Sequence, residues 1–375
     1  MRSVLYVSGT RADFGLMRSS LLQIDAADGL SVKVLATGMH LDPAYGETWR
    51  EIAASGLAIA ERVPVTLHPA TGATMARGIG TMIGGFVNAM TADRPDIVLL
   101  LGDRGEMLAA AIAAIHLNIP VAHVHGGERS GTVDEPVRHA ISKLSHIHFT
   151  ATHEARDRLV RLGERPDCVH VTGAPGLDGL ARHPVRARGE VLAEFGLSPV
   201  RPVALVLFHP VLQQSGDSAD QTRAVLDGLS RASWQGVALM PNADDGSDAI
   251  RAVFEASASD DLRCLVHLPR PRFIEIMAVA DAMVGNSSAG IIEAASFGTP
   301  VLNLGPRQAL RQRNANVIDL PEDASRIAAE LQRLVTAPRP ATVNVYGDGN
   351  AGRRIAELLA EIDLNPDLLN KVLTY

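Results

Sequence analysis

The densest group of side chains that could act as acids, bases or anion-binding groups follows a short apolar run in the first half of the chain. An imidazole, His125, is followed by a Gly-Gly pair and the carboxylate Glu128. Asp134 and Arg138 come next, at an i, i+4 spacing that places both on one face of a helix. A base, acids and a cation together are typical of acid–base chemistry on an anionic substrate. His123 and His125 alternate along the strand and would also suit a metal, but no third ligand follows at a recognised spacing, so we expect no metal.

Two other strand-like runs of the first half are each followed by an arginine. After the first run comes a small-residue turn with Arg11 and Asp13, and a helix is predicted to open at about Phe14. A helix N-terminus with Arg11 beside it fits a diphosphate, while Asp13 as an ordinary N-cap is the plainer explanation. Asp103 and Arg104 directly follow a strand of Ile, Val and Leu. Charges are costly there unless they bind or react, the alternative being a helix cap beside a solvated arginine.

The second half carries polar groups of a different kind after its strand-like runs. His209 and Asn242 follow two of these runs, and a Gly-Asn-Ser-Ser segment with Ser287 and Ser288 follows a third and opens a helix that contains Glu293. Hydroxyl and N–H donors at a helix start match phosphate oxygens, and a carboxylate one turn later can accept from ribose hydroxyls. Ordinary capping by Ser287 and a structural role for His209 are the alternatives. This half therefore predicts a nucleotide site.

Alternating short apolar runs and helical patterns predict an α/β protein with parallel sheets. We expect a first domain over residues 1–178, a linker over 179–200, a second domain over 201–350 and a helical tail over 351–375, whose helix Arg353–Ile362 could cap the second domain or cross back to the first. Strands are predicted near Val4–Val7, Val32–Ala36, Ile97–Leu101, Val121–Val124, Ile147–Phe149, Val169–Val171, Val203–Phe208, Val237–Met240, Cys264–Val266, Ala282–Val284 and Val301–Leu304. In such sheets ligands bind at the carboxyl ends of the strands, where the polar residues above are found.

The composition excludes several classes of protein. The 375 residues are 46% hydrophobic but only 4% aromatic, and a net charge of -7 without a basic block gives no footprint for nucleic acid or an anionic membrane. No apolar stretch approaches the roughly 20 residues needed to span a bilayer, and the short apolar start is interpreted as a strand rather than a signal peptide. The two cysteines, Cys168 and Cys264, lie far apart, which fits a reducing compartment. We expect a cytoplasmic protein that forms a homo-oligomer, a dimer or a tetramer.

Taken in order, these motifs resemble the UDP-N-acetylglucosamine 2-epimerase family, specifically its hydrolysing branch. The resemblance covers nearly the whole chain, from Gly-Thr-Arg-Ala-Asp-Phe-Gly at residue 9 to Asn-Leu-Gly-Pro-Arg-Gln at residue 303. It implies a GT-B architecture, in which two Rossmann-like parallel-sheet domains face a central cleft. It also implies that Asp103 and Asp134 are catalytic and that His125 stands where many members have Glu. The residues matched to nucleotide and phosphate contacts are Arg11, Arg104, His209, Asn242, Ser287, Ser288, Glu293 and Arg307.

The resemblance implies a reaction on a nucleotide sugar that needs no cofactor. Loss of the nucleoside diphosphate would give a 2-acetamidoglycal, and water would then add with inversion at C2, with Asp103, Asp134 and His125 sharing the acid–base roles. The leading substrate is UDP-N-acetylglucosamine, which would give free N-acetylmannosamine for sialic acid synthesis. The alternative is a UDP- or GDP-linked 2,4-diacetamido-2,4,6-trideoxyhexose of the legionaminic acid pathway. A GT-B glycosyltransferase and a non-catalytic nucleotide-sugar sensor are the remaining possibilities.

Overall fold

Parallel strands run through the centre of both halves of the chain. The computed structural model describes residues 1–374, in which one sheet has seven strands and the other six. The first sheet contains β1 (Arg2–Ser8), β2 (Leu30–Thr37), β3 (Ala58–Val63), β4 (Ile97–Leu101), β5 (Val121–Val124), β6 (Ile147–Thr150) and β7 (Val169–Val171). The second contains β8 (Val203–Leu207), β9 (Gln235–Leu239), β10 (Leu262–Leu265), β11 (Ala282–Gly285), β12 (Val301–Leu304) and β13 (Val317–Leu320). The α/β prediction is confirmed.

Helices cover both faces of each sheet, because alternate strand residues feed separate hydrophobic clusters. Val4 and Tyr6 of β1 pack on one face of the first sheet, and Leu5 and Val7 pack on the other. The helices are α1 (Arg11–Asp25), α2 (Trp49–Ala54), α3 (Gly72–Ala92), α4 (Gly105–His116), α5 (Asp134–Leu144), α6 (His153–Arg161), α7 (Arg188–Ala193), α8 (Ser218–Arg231), α9 (Ser247–Ser257), α10 (Arg270–Val279), α11 (Ser288–Ile292), α12 (Ala324–Leu334), α13 (Ala351–Glu361) and α14 (Pro366–Leu369). In the part of the chain that the structure describes, no helix combines the length and apolar character that a bilayer crossing requires.

The strand order explains why the polar residues meet. The strand order is β3-β2-β1-β4-β5-β6-β7 in the first sheet and β10-β9-β8-β11-β12-β13 in the second. In each sheet the strand order therefore reverses next to the strand that comes first in the chain, β1 or β8. A parallel sheet opens a crevice at this switch point, at the carboxyl ends of the two strands. Arg11 follows β1 and Arg104 follows β4, while His209 follows β8 and Ser287 follows β11. The two switch points therefore carry most of the residues singled out in the sequence.

Two strands were missed by the sequence prediction, and the start of the first helix was wrong. The missed strands, β3 and β13, lie at sheet edges, where their exposed residues break the continuous apolar run that marks a buried strand. Helix α1 begins at Arg11 rather than at about Phe14. Thr10 is its N-cap, and Asp13 completes a capping box from the third helical position instead of being the cap itself.

The last long helix returns to the first sheet. Ile355 and Leu359 of α13 are buried in a core cluster of the first domain, and the helix spans Ala351–Glu361 rather than Arg353–Ile362. The segment 179–200, predicted as a linker, contains α7, whose Val191 and Leu192 are buried in the core of the second sheet. We therefore propose that the second domain begins before α7 and that the tail belongs to the first domain.

Candidate active site

A cavity of about 160 Å³ lies between the two sheets. All the predicted nucleotide-contacting residues except Arg104 line it, namely Arg11, His209, Asn242, Ser287, Ser288, Glu293 and Arg307. Sequence reasoning missed other lining residues, including Glu51, Arg270 and Phe273. Arg270 had a visible signal, because it follows β10 and opens a helix in the same way as the residues that were found.

Two strand ends on the second-domain side are locked together by a side chain that was predicted only as a donor. The amide of Asn286 donates to the carbonyl of His209 and accepts from its backbone N–H, both at 2.8 Å. Gly285 allows this close approach, because it has a φ of +139° and a Cβ there would lie 2.0 Å from the Leu207 carbonyl oxygen. Arg307 Nη1 donates to the Asn286 carbonyl at 3.1 Å. These hydrogen bonds join the ends of β8 and β11 to Arg307 in the wall of the cavity.

Ser287 does act as an N-cap, so the plainer alternative for this residue applies in part. Its hydroxyl accepts a 3.4 Å hydrogen bond from the Ala289 backbone N–H at the start of α11. The hydroxyl also lines the cavity, together with that of Ser288. Glu293 lines the cavity as well and is in contact with Arg270. The Glu293 carboxylate at the cavity wall is therefore held in place by an arginine.

Arg11 reaches from the first domain to the second. Its Nη1 donates to the Val266 carbonyl at 3.2 Å and contacts the His267 ring. The opposite ring nitrogen of His267 lies 2.5 Å from a carboxylate oxygen of Glu51. Arg11 and Ala12 are the first residues of α1, so the free N–H groups of this helix start face the same cavity. The combination of a guanidinium and a helix N-terminus suits a diphosphate.

The predicted catalytic carboxylates are each paired with an arginine. Asp103 forms an ion pair with Arg138, and Asp134 lies 3.6 Å from Arg307 Nη2. Arg138 is fully buried, and its Nη1 also donates to the Glu128 carbonyl at 3.1 Å. Burial, with the nearby charge of Arg307, lowers the pKa of Arg138 to about 9. Because Arg307 also lines the cavity, it connects Asp134 to the predicted nucleotide site.

His125 is held in an unusual backbone conformation just beyond the end of β5. Its φ of +65° is in the left-handed region, which is uncommon for a residue with a side chain and recurs at functional sites. Nδ1 of the ring is hydrogen-bonded to Glu128, which also contacts Arg311 of the second domain. Burial, with the charge of Arg311, lowers the pKa of His125 to about 3. The imidazole is therefore neutral at physiological pH.

His123, the other half of the metal alternative, has a structural environment. Its Nε2 lies 2.6 Å from the Gly102 carbonyl oxygen and its Nδ1 lies 3.1 Å from the Ser142 hydroxyl. These bonds tie β5 to the turn before Asp103 and to α5. Within residues 1–374, no group of three or more His, Cys, Asp or Glu side chains is arranged to hold a metal ion.

Arg104 does not line the cavity, although the sequence assigns it to the phosphates. Its guanidinium instead faces Asp244 of the second domain and Glu106 of its own domain. Neither carboxylate was singled out from the sequence. Asp244 follows β9 by a few residues, so its place near a strand end was a usable signal, whereas Glu106 was hidden in the first turn of α4.

Comparison with known proteins decides which family this geometry belongs to. The model of the family described as UDP-N-acetylglucosamine 2-epimerase matches residues 22–360. The chain belongs to this family. A Legionella pneumophila relative named UDP-N,N'-diacetylbacillosamine 2-epimerase (hydrolyzing) is 45% identical over the full length of both chains. The Neisseria meningitidis UDP-N-acetylglucosamine 2-epimerase is 32% identical, over 99% of this chain and 97% of the relative.

Solved structures of the epimerase family have the same fold. The Neisseria meningitidis UDP-GlcNAc 2-epimerase bound to UDP-GlcNAc superposes with a TM-score of 0.80, covering 96% of this chain and 100% of the other at 20% identity. The Staphylococcus aureus MnaA–UDP structure has a TM-score of 0.79, at 18% identity and 96% coverage of both chains. The GT-B architecture and the family resemblance drawn from the motifs are therefore confirmed.

Proposed function

We propose that the protein is a hydrolysing 2-epimerase of a UDP-linked 2,4-diacetamido-2,4,6-trideoxyhexose, which it converts to UDP and the free C2-inverted sugar. The observation that carries the proposal is Arg307, which lines the cavity and lies 3.6 Å from Asp134. We call Asp103, Glu128 and Asp134, with their arginine partners, the carboxylate cluster. This arrangement would bring a leaving diphosphate next to acid–base groups. The substrate follows the Legionella relative, which is more similar over its full length than the Neisseria enzyme. UDP-N-acetylglucosamine, the leading substrate from the motifs, becomes the second candidate.

The order of bond changes follows from the substrate. The C2 proton of such a sugar is not next to a carbonyl, so its direct removal would be very slow. Departure of UDP comes first in our proposal: the C1–O bond breaks, positive charge develops at C1, and the C2 proton becomes acidic. Arg11, Arg307 and Ser288 would stabilise the departing diphosphate. A base then takes the C2 proton, and the electron pair of the broken C2–H bond forms the C1=C2 bond of the glycal.

Hydration completes the reaction. Water adds its oxygen to C1 while a proton reaches C2 from the face opposite to the one that lost it, which inverts C2. Asp103, Asp134 and His125 share these transfers in our proposal. Arg138 pairs with Asp103 and Arg307 lies 3.6 Å from Asp134, so an arginine holds each carboxylate in place. The Glu128 contact at Nδ1 of neutral His125 leaves Nε2 as the acceptor nitrogen.

A release assay without an acceptor tests this function. The purified protein is incubated with the UDP-linked diacetamido sugar and, separately, with UDP-N-acetylglucosamine, and UDP and free sugar are measured. We expect the faster release from the diacetamido sugar, and in deuterated water one deuterium at C2 of the product, because C2 is protonated from solvent. Release only after a sugar acceptor is added would indicate a glycosyltransferase. A product without deuterium at C2 would refute the elimination.

A further inference from the structure

Asp244 lies in the loop between β9 and α9, and no step of the proposed reaction uses it. Both its carboxylate oxygens face one guanidinium of the other domain: Oδ1 is 3.1 Å from Nη2 of Arg104 and Oδ2 is 3.5 Å from Nη1. Two parallel contacts of this kind fix the orientation of an arginine as well as its position. A second-domain residue thus determines where a first-domain arginine points.

A second carboxylate holds the same arginine from its own domain. Nε of Arg104 lies 3.3 Å from an oxygen of Glu106, which is 6% exposed and packed against Gly9. Burial alone would lower the pKa of Arg104, but the charges of Asp244 and Glu106 outweigh it and raise the pKa. Arg104 is therefore always charged, and it is held by a carboxylate from each of the two domains.

The loop that supplies Asp244 is docked on the first domain by apolar contacts as well. Ala243 is buried in a small cluster with Met39 and Tyr45 of the first domain. The guanidinium of Arg251 lies over the Tyr45 ring at 4.7 Å and donates to the Pro241 carbonyl at 2.7 Å. The same loop contributes Asn242 to the cavity wall. Its docking therefore joins the nucleotide site to Arg104.

Arg104 stands next to Asp103 in the chain, and it is the N-cap residue of α4. We propose that Asp244 is a positioning residue for the elimination: it holds Arg104 across the cleft and thereby fixes the turn that presents Asp103. The inference rests on the proposed function. In this arrangement the turn has its reactive geometry only while the loop of residues 240–246 is docked, which links binding in the second domain to chemistry in the first.

The test compares Asp244→Asn with Asp245→Asn. Asp245 is the next residue of the same loop, and within residues 1–374 it forms no ion pair. The Asn side chain at 244 keeps the shape but loses the charge, so we expect kcat to fall roughly 10-fold to 100-fold through misplacement of the turn. The affinity for UDP, measured by calorimetry, should stay within about 3-fold, and Asp245→Asn should behave as wild type. Asp244→Glu, which keeps the charge, should restore part of kcat.

A double-mutant cycle tests the contact itself. If Asp244 acts through Arg104, adding Asp244→Asn to Arg104→Met should lower kcat no further, because the two residues share one interaction. Unchanged kcat in Asp244→Asn, or an equal loss in Asp245→Asn, would overturn the inference. Tighter UDP binding with unchanged kcat would also overturn it, since Asp244 would then compete with the diphosphate. A wild-type protein that releases no UDP refutes the proposed function, and the inference with it.

Discussion

The nucleotide cavity and the carboxylate cluster use arginine in different ways. In the cavity, Arg11 and Arg307 join hydroxyl and amide groups around an open volume. In the cluster, arginines are already matched to carboxylates, as in the Asp103–Arg138 pair and the contact of Glu128 with Arg311. The first region offers donors to a ligand, whereas the second holds balanced charges in place before the ligand arrives. Such preorganisation favours the transition state over the bound substrate.

The largest effect on this contrast between the cavity and the carboxylate cluster should come from the removal of one carboxylate charge. Asp103→Asn leaves the buried Arg138 without its carboxylate partner, and Asp134→Asn removes the charge beside Arg307. Each variant also loses a group that transfers protons in our proposal, so kcat should fall roughly 10²-fold to 10⁴-fold. UDP affinity should change little. Asp96→Asn is a matched control, because Asp96 lies at the other end of β4 and is bonded to Ser3 at 2.7 Å. Near-normal turnover in both Asn variants would mean that these carboxylates only shape their turns.

Arg307 belongs to both regions, so its replacement should affect both. Arg307→Ala removes a cavity donor and the partner of Asp134, and we expect about 10-fold to 100-fold weaker UDP binding together with a fall in kcat. Ser288→Ala is the comparison, because Ser288 belongs to the cavity only. This substitution should weaken UDP binding by less than about 10-fold without changing kcat. If Arg307→Ala and Ser288→Ala had the same ratio of kcat loss to affinity loss, Arg307 would not act in both regions.

The smallest effect is expected in the pH profile. Burial lowers the pKa of His125 to about 3, so its ring stays neutral from about pH 4 upward and cannot cause a limb near pH 6 to 7, where an ordinary imidazole ionises. His125→Gln should therefore lower kcat/KM without changing the shape of its pH profile between about pH 5.5 and about pH 8. A wild-type limb near neutral pH that disappears in the variant would show that His125 titrates during turnover.

The sequence predicted the candidate site residues that follow strand ends, because a strand and the residues after it can be recognised from one short segment. Asp103, His209 and Ser287 each follow a buried apolar run, and the runs themselves could be recognised. Partners from the other domain could not be predicted, since nothing in the sequence near Arg104 points to Asp244, 140 residues away. Edge strands such as β3 were missed for a related reason: one neighbour and an exposed face leave no apolar signature.

With the domain division proposed above, the return of α13 to the first sheet makes the second domain an insertion rather than an appendage. The backbone N–H groups of Ala351 and Gly352 donate to the Asp178 carboxylate at 2.9 and 2.6 Å, so the chain leaves and re-enters the first domain at one point. Gly352 makes this possible, because a Cβ there would lie 2.6 Å from Ser20 Cα. Two crossings of the chain, held side by side at Asp178, therefore tie the second domain to the first. A short linker between residues 178 and 351 would retain the contacts at both ends of the excised segment.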